Sequence, residues 1–342
     1  MDQRDIIDTA HELADAARAV ILPYFRAEGL VAENKWATGF DPVTIADREA
    51  EAAMREVLAR RRPNDAILGE EMGATSGTSG LTWVLDPIDG TRAFIAGAPT
   101  WGVLIALSDS SGPIYGVIDQ PYIGERFEGG FGRAMMTGPL GDAALRTSEV
   151  CDLGNAKVFT TFPEVGTERD AQGFRDVAGR SRLTRYGMDC YAYALVALGH
   201  ADLVIEAQLN AYDIQAPIAV IEAAGGKVTD WQCVDTSLLF PDLDSDLPSA
   251  QLPPDQSCCV WLGHCGNQLI ASPQVVRESA VMTRAMGLFS RPAMAAHPPA
   301  SARDLSADPG RSDGAIVAHH DRSEEVVPVA LRAPGPLRDG GC

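Results

Sequence analysis

The chain has no apolar run approaching the ~18–20 residues needed to cross a bilayer, so a role inside a membrane is not expected. It is poor in positive charge: 28 Lys and Arg stand against 47 Asp and Glu, a formal net charge of −19. No basic patch is long enough to neutralise many phosphates, so no nucleic-acid partner is expected. Cysteine is also scarce. The seven, at positions 151, 190, 233, 258, 259, 265 and 342, are irregularly spaced and include no CxxC pair. The run Cys258, Cys259, His264, Cys265 fits no structural zinc spacing and reads as free thiols in a loop. The N-terminal stretch lacks a basic n-region and a small-residue cleavage site, so it is not expected to be a signal peptide, and a reducing cytoplasm is the expected compartment. No internal repeat is found.

What is present suits a soluble globular protein: 342 residues, 46% hydrophobic and 22% charged, enough for one large domain or two ordinary ones. Ile6, Ala10, Leu13, Ala17 and Val20 recur at spacings of three and four and predict an amphipathic helix. A second helix is expected from near Ala46 until Pro63 and Asn64 stop it. Then AILGEE and LTWVLD, the latter ending at Asp86, read as strands. Further strands follow in WGVLIALSD, PIYGVIDQP and ERFEGGFG. After about residue 140 strands and helices alternate, which predicts a layered α/β architecture. The expected organisation is an α+β half over 1–140 and an α/β half over 141–285, with a loop insert at 232–265. A tail at 286–342 is expected to be disordered, because it cannot bury enough apolar surface to offset ordering entropy.

The most informative stretch is Trp83-Val84-Leu85-Asp86-Pro87-Ile88-Asp89-Gly90-Thr91-Arg92. An apolar strand delivers Asp86 to its end, Pro87 removes a donor, and Gly90 permits a tight turn, so two carboxylates are forced toward one point. Gly90 and Thr91 offer N–H groups where a helix would start, a cradle for an anion. Converging carboxylates repel one another, and a hard divalent cation with oxygen ligands removes that cost. Such a cation would also let an acidic protein take an anionic substrate. Alone, the segment fits equally a strand-end turn in which Asp86 caps a helix and Asp89 is solvated. Gly69-Glu70-Glu71 adds acid groups after the preceding strand. Taken singly, Asp213 reads as a helix N-cap and Asp47 as a first-turn helix acid.

In combination, DPVTIAD at 41–47, GEE at 69–71, WVLDPIDGTRAF at 83–94 and AYDIQAPIAVIEAAGGKVTDW at 211–231 resemble the inositol monophosphatase superfamily, in the same order and with similar separations. The likeness covers about residues 5–231, with GNQLIASPQVVRESA at 266–280 as a further piece. Within it the chain is most similar to the histidinol-phosphatase branch, through YGVIDQPYIGERFEGG at 115–130 and the segment 184–213, with Tyr212 before the late Asp; Met188 departs from the branch, which carries Gly there.

The resemblance implies a layered αβαβα sandwich and Mg²⁺-dependent hydrolysis of a small phosphate monoester, first histidinol phosphate in histidine biosynthesis. Inositol monophosphate, a 3′-phosphonucleotide or fructose bisphosphate are the alternatives. It implies one Mg²⁺ on Glu70, Asp86 and the Ile88 carbonyl, a second on Asp86, Asp89 and Asp213, and room for a third near Glu70. Thr91, with Asp47 behind it, would orient or deprotonate the attacking water; Gly90, Thr91 and Arg92 would meet the phosphate. Arg185 is a candidate for the substrate or a plain surface arginine. Asp189 would accept from a substrate amino or hydroxyl group, or pair with Arg185. A homodimer is what the family leads one to expect. The different-class alternative is a non-enzymatic metal-binding homologue. Other phosphatase classes are disfavoured: DPIDGT lacks Asp-x-Asp spacing, no cysteine is followed six residues later by Arg, and no histidine lies in an RHG-like context.

Overall fold

A computed structural model of the chain describes residues 2–30, 32–34, 42–164, 166–230 and the strand residues 258–261, 264–265 and 268–269. Helix α1 (Gln3–Ile21) begins at Asp2, whose carboxylate accepts the N–H groups of Arg4 and Asp5, and buries Ile6, Ala10, Leu13 and Ala17 along one face. Strands β1 (Glu33–Asn34) and β2 (Pro42–Val43) pair antiparallel, and helix α2 (Ile45–Arg61) follows.

Next come β3 (Ala66–Gly69), β4 (Gly73–Thr75), β5 (Thr82–Asp89), the short helix α3 (Thr91–Ala96), β6 (Gly102–Asp109), β7 (Gly112–Gln120), β8 (Glu125–Gly130), β9 (Arg133–Thr137) and β10 (Ala143–Ala144). These strands form one eight-stranded sheet in the order β10-β9-β8-β7-β6-β5-β3-β4. From β5 onward each strand pairs antiparallel with the next, and β3 alone lies parallel to β5. The later chain alternates β11 (Lys157–Thr160), α4 (Glu168–Ala178), β12 (Leu183–Tyr186), α5 (Tyr191–Ala197), β13 (Leu203–Ile205), α6 (Ala211–Ala223) and β14 (Lys227–Asp230). With β15 (Cys258–Trp261) these strands make a five-stranded sheet in the order β12-β11-β13-β15-β14.

Period-two alternation builds the layers. Trp83, Leu85, Val103, Ile105, Leu107 and Val117 face α1 and α2 in one core cluster. Their neighbours Val84, Leu104, Ala106 and Ile118 face α5, α6 and the inner side of the second sheet in another. The second sheet's outer face, Val158, Leu203 and Ile205, packs on Phe174 and Val177 of α4. The stack is therefore helix, sheet, helix, sheet, helix: the αβαβα sandwich. Helix α6 lies against β7 and β8 at contact distance, since a Cβ on Gly116 would stand 2.5 Å from the Ala216 carbonyl oxygen and one on Gly129 would stand 2.4 Å from Val220 Cα.

Two expectations change. The strand expected to end at Asp86 runs on to Asp89. Cys258–Trp261, inside the segment expected to be loop, is instead strand β15, paired antiparallel with both β13 and β14. An unbroken run of Cys, Cys, Val and Trp suits a central strand, and the Asp/Pro/Ser-rich residues before it obscured that signal. His264–Cys265 likewise pairs with Gln268–Leu269. The tail at 286–342 lies outside the described residues, as do the side chains of the cysteine–histidine run.

Candidate active site

The site forms where β5 loses register with β6. Asp86 pairs with Leu104 and Asp89 with Gly102, so three steps on β5 answer two on β6. Pro87 sits in that bulge, where its missing N–H leaves no ladder bond broken. Asp86 is buried, and its Oδ1 accepts the Ile88 N–H at 3.0 Å. Gly90 follows at φ +84°, a conformation that favours glycine, and a Cβ there would stand 2.8 Å from Asp189 Cβ. The chain then enters α3, and the Thr91 hydroxyl lies 3.1 Å from the Ile88 carbonyl oxygen and 3.4 Å from Asp47 Oδ1, donating to these acceptors.

Two further carboxylates come from helix first turns. Asp47 is the third residue of α2; its Oδ2 accepts the Thr44 N–H at 2.9 Å and the Thr44 hydroxyl at 2.5 Å. Asp213 is the third residue of α6, and its Oδ2 accepts the Asn210 N–H at 2.6 Å. The N-cap is thus Asn210 rather than Asp213, and Asp47 is the first-turn acid that its position suggested. In both helices one carboxylate oxygen anchors the side chain to its own helix and thereby sets its direction.

One ligand atom each from Asp86, Asp89 and Asp213 lies within 4.8 Å of the others. Glu70 follows the end of β3 and hydrogen-bonds the Asp86 carboxyl. Burial, followed by the charges of Glu70, Asp89 and Asp213, pushes the Asp86 carboxyl well above the ordinary carboxylate range. Asp89 is pushed up by burial and by Asp213 and Asp189, against the opposing Cys190 N–H, which donates to Asp89 Oδ2 at 2.7 Å. An all-oxygen, acidic donor set that is electrostatically strained by its own charge fits a hard divalent cation.

The organic side of the cleft is less complete. Asp189, at φ +45°, accepts the Thr100 hydroxyl at 2.6 Å; burial raises its carboxyl, with Thr100 and the Arg92 charge opposing. Arg92 is exposed, its guanidinium 5.1 Å from the Phe162 ring centroid. Arg92, not Arg185, is the cation beside Asp189. Arg185 lies exposed on β12, a strand at the edge of the second sheet. The sequence reasoning missed Glu206. It is buried, receives the Thr161 N–H at 2.7 Å, feels the Asp189 charge, and is raised by burial to about 7. The signal was available: Leu203-Val204-Ile205-Glu206 is an apolar strand ending in a carboxylate, the pattern that singled out Asp86.

Comparison with known proteins agrees with this geometry. The inositol monophosphatase family model matches residues 2–251, and the chain belongs to that family. Among curated relatives, the "Bifunctional phosphatase IMPL2, chloroplastic" of Arabidopsis thaliana is 42% identical over 64% of this chain, and the chain spans only 62% of that protein. A histidinol-phosphatase of Streptomyces coelicolor is 36% identical over 67% of this chain and 87% of its own. The solved inositol monophosphatase of Zymomonas mobilis superposes with a TM-score of 0.66 at 34% identity, covering 82% of this chain and 98% of the other. These relatives are phosphatases, hydrolases of phosphoric monoesters. No helix among the described residues is long and apolar enough to cross a membrane.

Proposed function

We propose that the chain hydrolyses a small phosphate monoester, histidinol phosphate first, using Mg²⁺ held by Glu70, Asp86, the Ile88 carbonyl, Asp89 and Asp213. The observation that carries this reading is the convergence of Asp86, Asp89 and Asp213 within 4.8 Å, with Glu70 hydrogen-bonded to Asp86. Asp86 feels the charge of each of the other three, which suits more than one cation sharing it. Bound there, divalent cations supply Lewis acidity to the phosphoryl oxygens and lower the pKa of the attacking water.

The remaining work falls to the protein. The Thr91 hydroxyl donates to Asp47 Oδ1 or the Ile88 carbonyl, which leaves its oxygen lone pairs to accept from a water and aim it in line. Asp47, buried and fixed by Thr44, is placed to receive the proton passed through Thr91. The N–H groups of Gly90 and Thr91 and the Arg92 guanidinium steady the phosphate as charge redistributes over its oxygens. Asp189 offers an acidic group to the organic portion, which favours a substrate bearing an amino group over a neutral polyol. The histidinol-phosphatase relative points the same way. On this reading Arg185 stays outside the site, and the enzyme serves histidine biosynthesis in the cytoplasm as a homodimer.

The test is phosphate release from histidinol phosphate, inositol 1-phosphate, a 3′-phosphonucleotide and fructose 1,6-bisphosphate, each with Mg²⁺ and with EDTA. Histidinol phosphate should give the highest kcat/KM, and EDTA should abolish every activity. Faster turnover of inositol 1-phosphate would transfer the assignment to that ester. Activity surviving EDTA would refute the cation site.

A further inference from the structure

Helix α2 carries a second buried carboxylate one turn beyond Asp47, on the same face. Glu51 is fully buried. Its Oε2 accepts the Glu71 N–H at 2.7 Å, and its Oε1 accepts the Met72 N–H at 3.2 Å and Arg55 Nε at 2.8 Å. Arg55 continues to the Gly73 carbonyl and, at 2.9 Å, to the Thr75 hydroxyl. The approach is so close that a Cβ on Gly69 would stand 2.0 Å from Glu51 Oε1. Glycine is required there by proximity rather than by dihedral angle.

Apart from Arg55, which shares helix α2 with Glu51, these partners belong to one hairpin. β3 ends at Gly69, the turn is Glu70-Glu71-Met72, and β4 returns with Gly73 opposite Gly69. Burial does not hold this turn, because Met72 is 55% exposed and every residue of β4 is exposed. Besides the β3–β4 pairing and the Arg55 contact to the Gly73 carbonyl, its backbone is held by the ladder bond from the Glu70 N–H to the Leu85 carbonyl at 3.1 Å and by the Glu51 carboxylate beneath Glu71 and Met72. A charged acceptor for two N–H groups makes a stronger clamp than neutral partners would.

We propose that Glu51 is a positioning residue for Glu70: it clamps the turn so that the Glu70 carboxylate meets Asp86, and touches neither cation nor substrate. This rests on the reading that Glu70 and Asp86 share a divalent cation. One helix face then performs two tasks, Asp47 directing Thr91 and Glu51 directing Glu70. A purely structural Glu51 would alter hairpin stability and leave cation affinity alone.

Glu51→Gln preserves shape but replaces one acceptor oxygen with a donor that cannot receive these N–H groups. Mn²⁺ binding, followed by the electron paramagnetic resonance signal of the free ion, should weaken by about tenfold. Turnover at saturating Mg²⁺ should stay within about threefold of the unaltered protein. In a Glu70→Gln background the same substitution should change Mn²⁺ affinity less than about twofold, because the group it positions is gone. A lower melting temperature with unchanged Mn²⁺ affinity would overturn the proposal, and so would a tenfold effect that persists in the Glu70→Gln background. Failure of the unaltered protein to bind Mn²⁺ would remove the cation site itself, and the positioning role with it. Should Glu51→Gln not fold, Arg55→Gln, which loosens the same clamp from its partly exposed side, is judged by the same two measurements.

Discussion

Asp86 and Asp89 reach the site from a strand that has slipped register, whereas Asp47 and Asp213 reach it from helices that have just begun. The strand pair is fixed by backbone geometry: a bulge, a proline and a left-handed glycine leave the two carboxylates nowhere else to point. The helix pair is fixed by hydrogen bonds within each first turn, to Thr44 and to Asn210. The strand pair is raised by burial and by mutual repulsion, in which the Asp213 charge takes part, while Asp47 and Asp213 also keep their hydrogen bonds to the first turns of their helices.

The sharpest way to break this contrast is Asp86→Asn. Phosphate release should fall at least ~1000-fold, since the carboxylate proposed to be shared by two cations is lost. The metal-free protein should nevertheless melt about 2 °C higher, because one of the mutually repelling charges is gone. Thermal melts in EDTA, set beside the activity assay, check both halves; a lower melting temperature would show that the pair is not strained.

Asp213→Asn should cost roughly 100-fold in activity without lowering the melting temperature in EDTA, since its amide oxygen can still accept the Asn210 N–H and one charge that raises Asp86 and Asp89 is removed. Asp213→Ala should lose the same activity and a further ~1 kcal/mol of stability by urea unfolding. Equal stability of the two variants would deny the capping role.

Two other buried carboxyls sharpen the comparison by their response to pH. Burial raises Glu206 from 4.5 to about 7, so its stabilising contribution is full below the unfolded value and is lost as pH rises through about 7. Glu128 is the reverse: burial works to raise it, but hydrogen bonds from His11, Tyr115 and Arg133 outweigh that and hold it at about 2. Its contribution is full above 4.5 and is lost as pH falls toward 2. In EDTA, urea unfolding should therefore show less stability at pH 8 than at pH 5, and Glu206→Gln should flatten that slope. An unchanged slope in the variant would place the titration elsewhere.

The smallest effects separate the two arginines. Arg92→Ala should raise KM by about tenfold through loss of the proposed phosphate contact. Arg185→Ala, on an exposed edge strand, should change neither kcat nor KM by more than about twofold.

What could be read before folding follows the same division. The antiparallel ladder from β5 onward joins neighbours in sequence, and the period of its apolar residues states which face is which. Asp86 and Asp89 were legible because everything that makes them converge lies within five residues. Asp47 and Asp213 were ambiguous because each is a plausible first-turn acid, and in the structure each is that and a member of the site at once. β15 was missed because its pairing with β13 and β14 is not local. Arg185 and Arg92 could not be ranked, because only the packing of α3 near Phe162 and Asp189 decides which guanidinium meets the cleft.

Helix α6 spans the boundary between the two sheets, with its acidic first turn in the cleft and its small-residue body pressed on Gly116 and Gly129. Adding a methyl group at either glycine would lever the whole rod outward and drag Asp213 with it, so packing errors deep in the interior would register as catalytic defects. Exchanges at Arg92 and Phe162, which meet at the exposed side of α3, would by contrast leave this rod undisturbed.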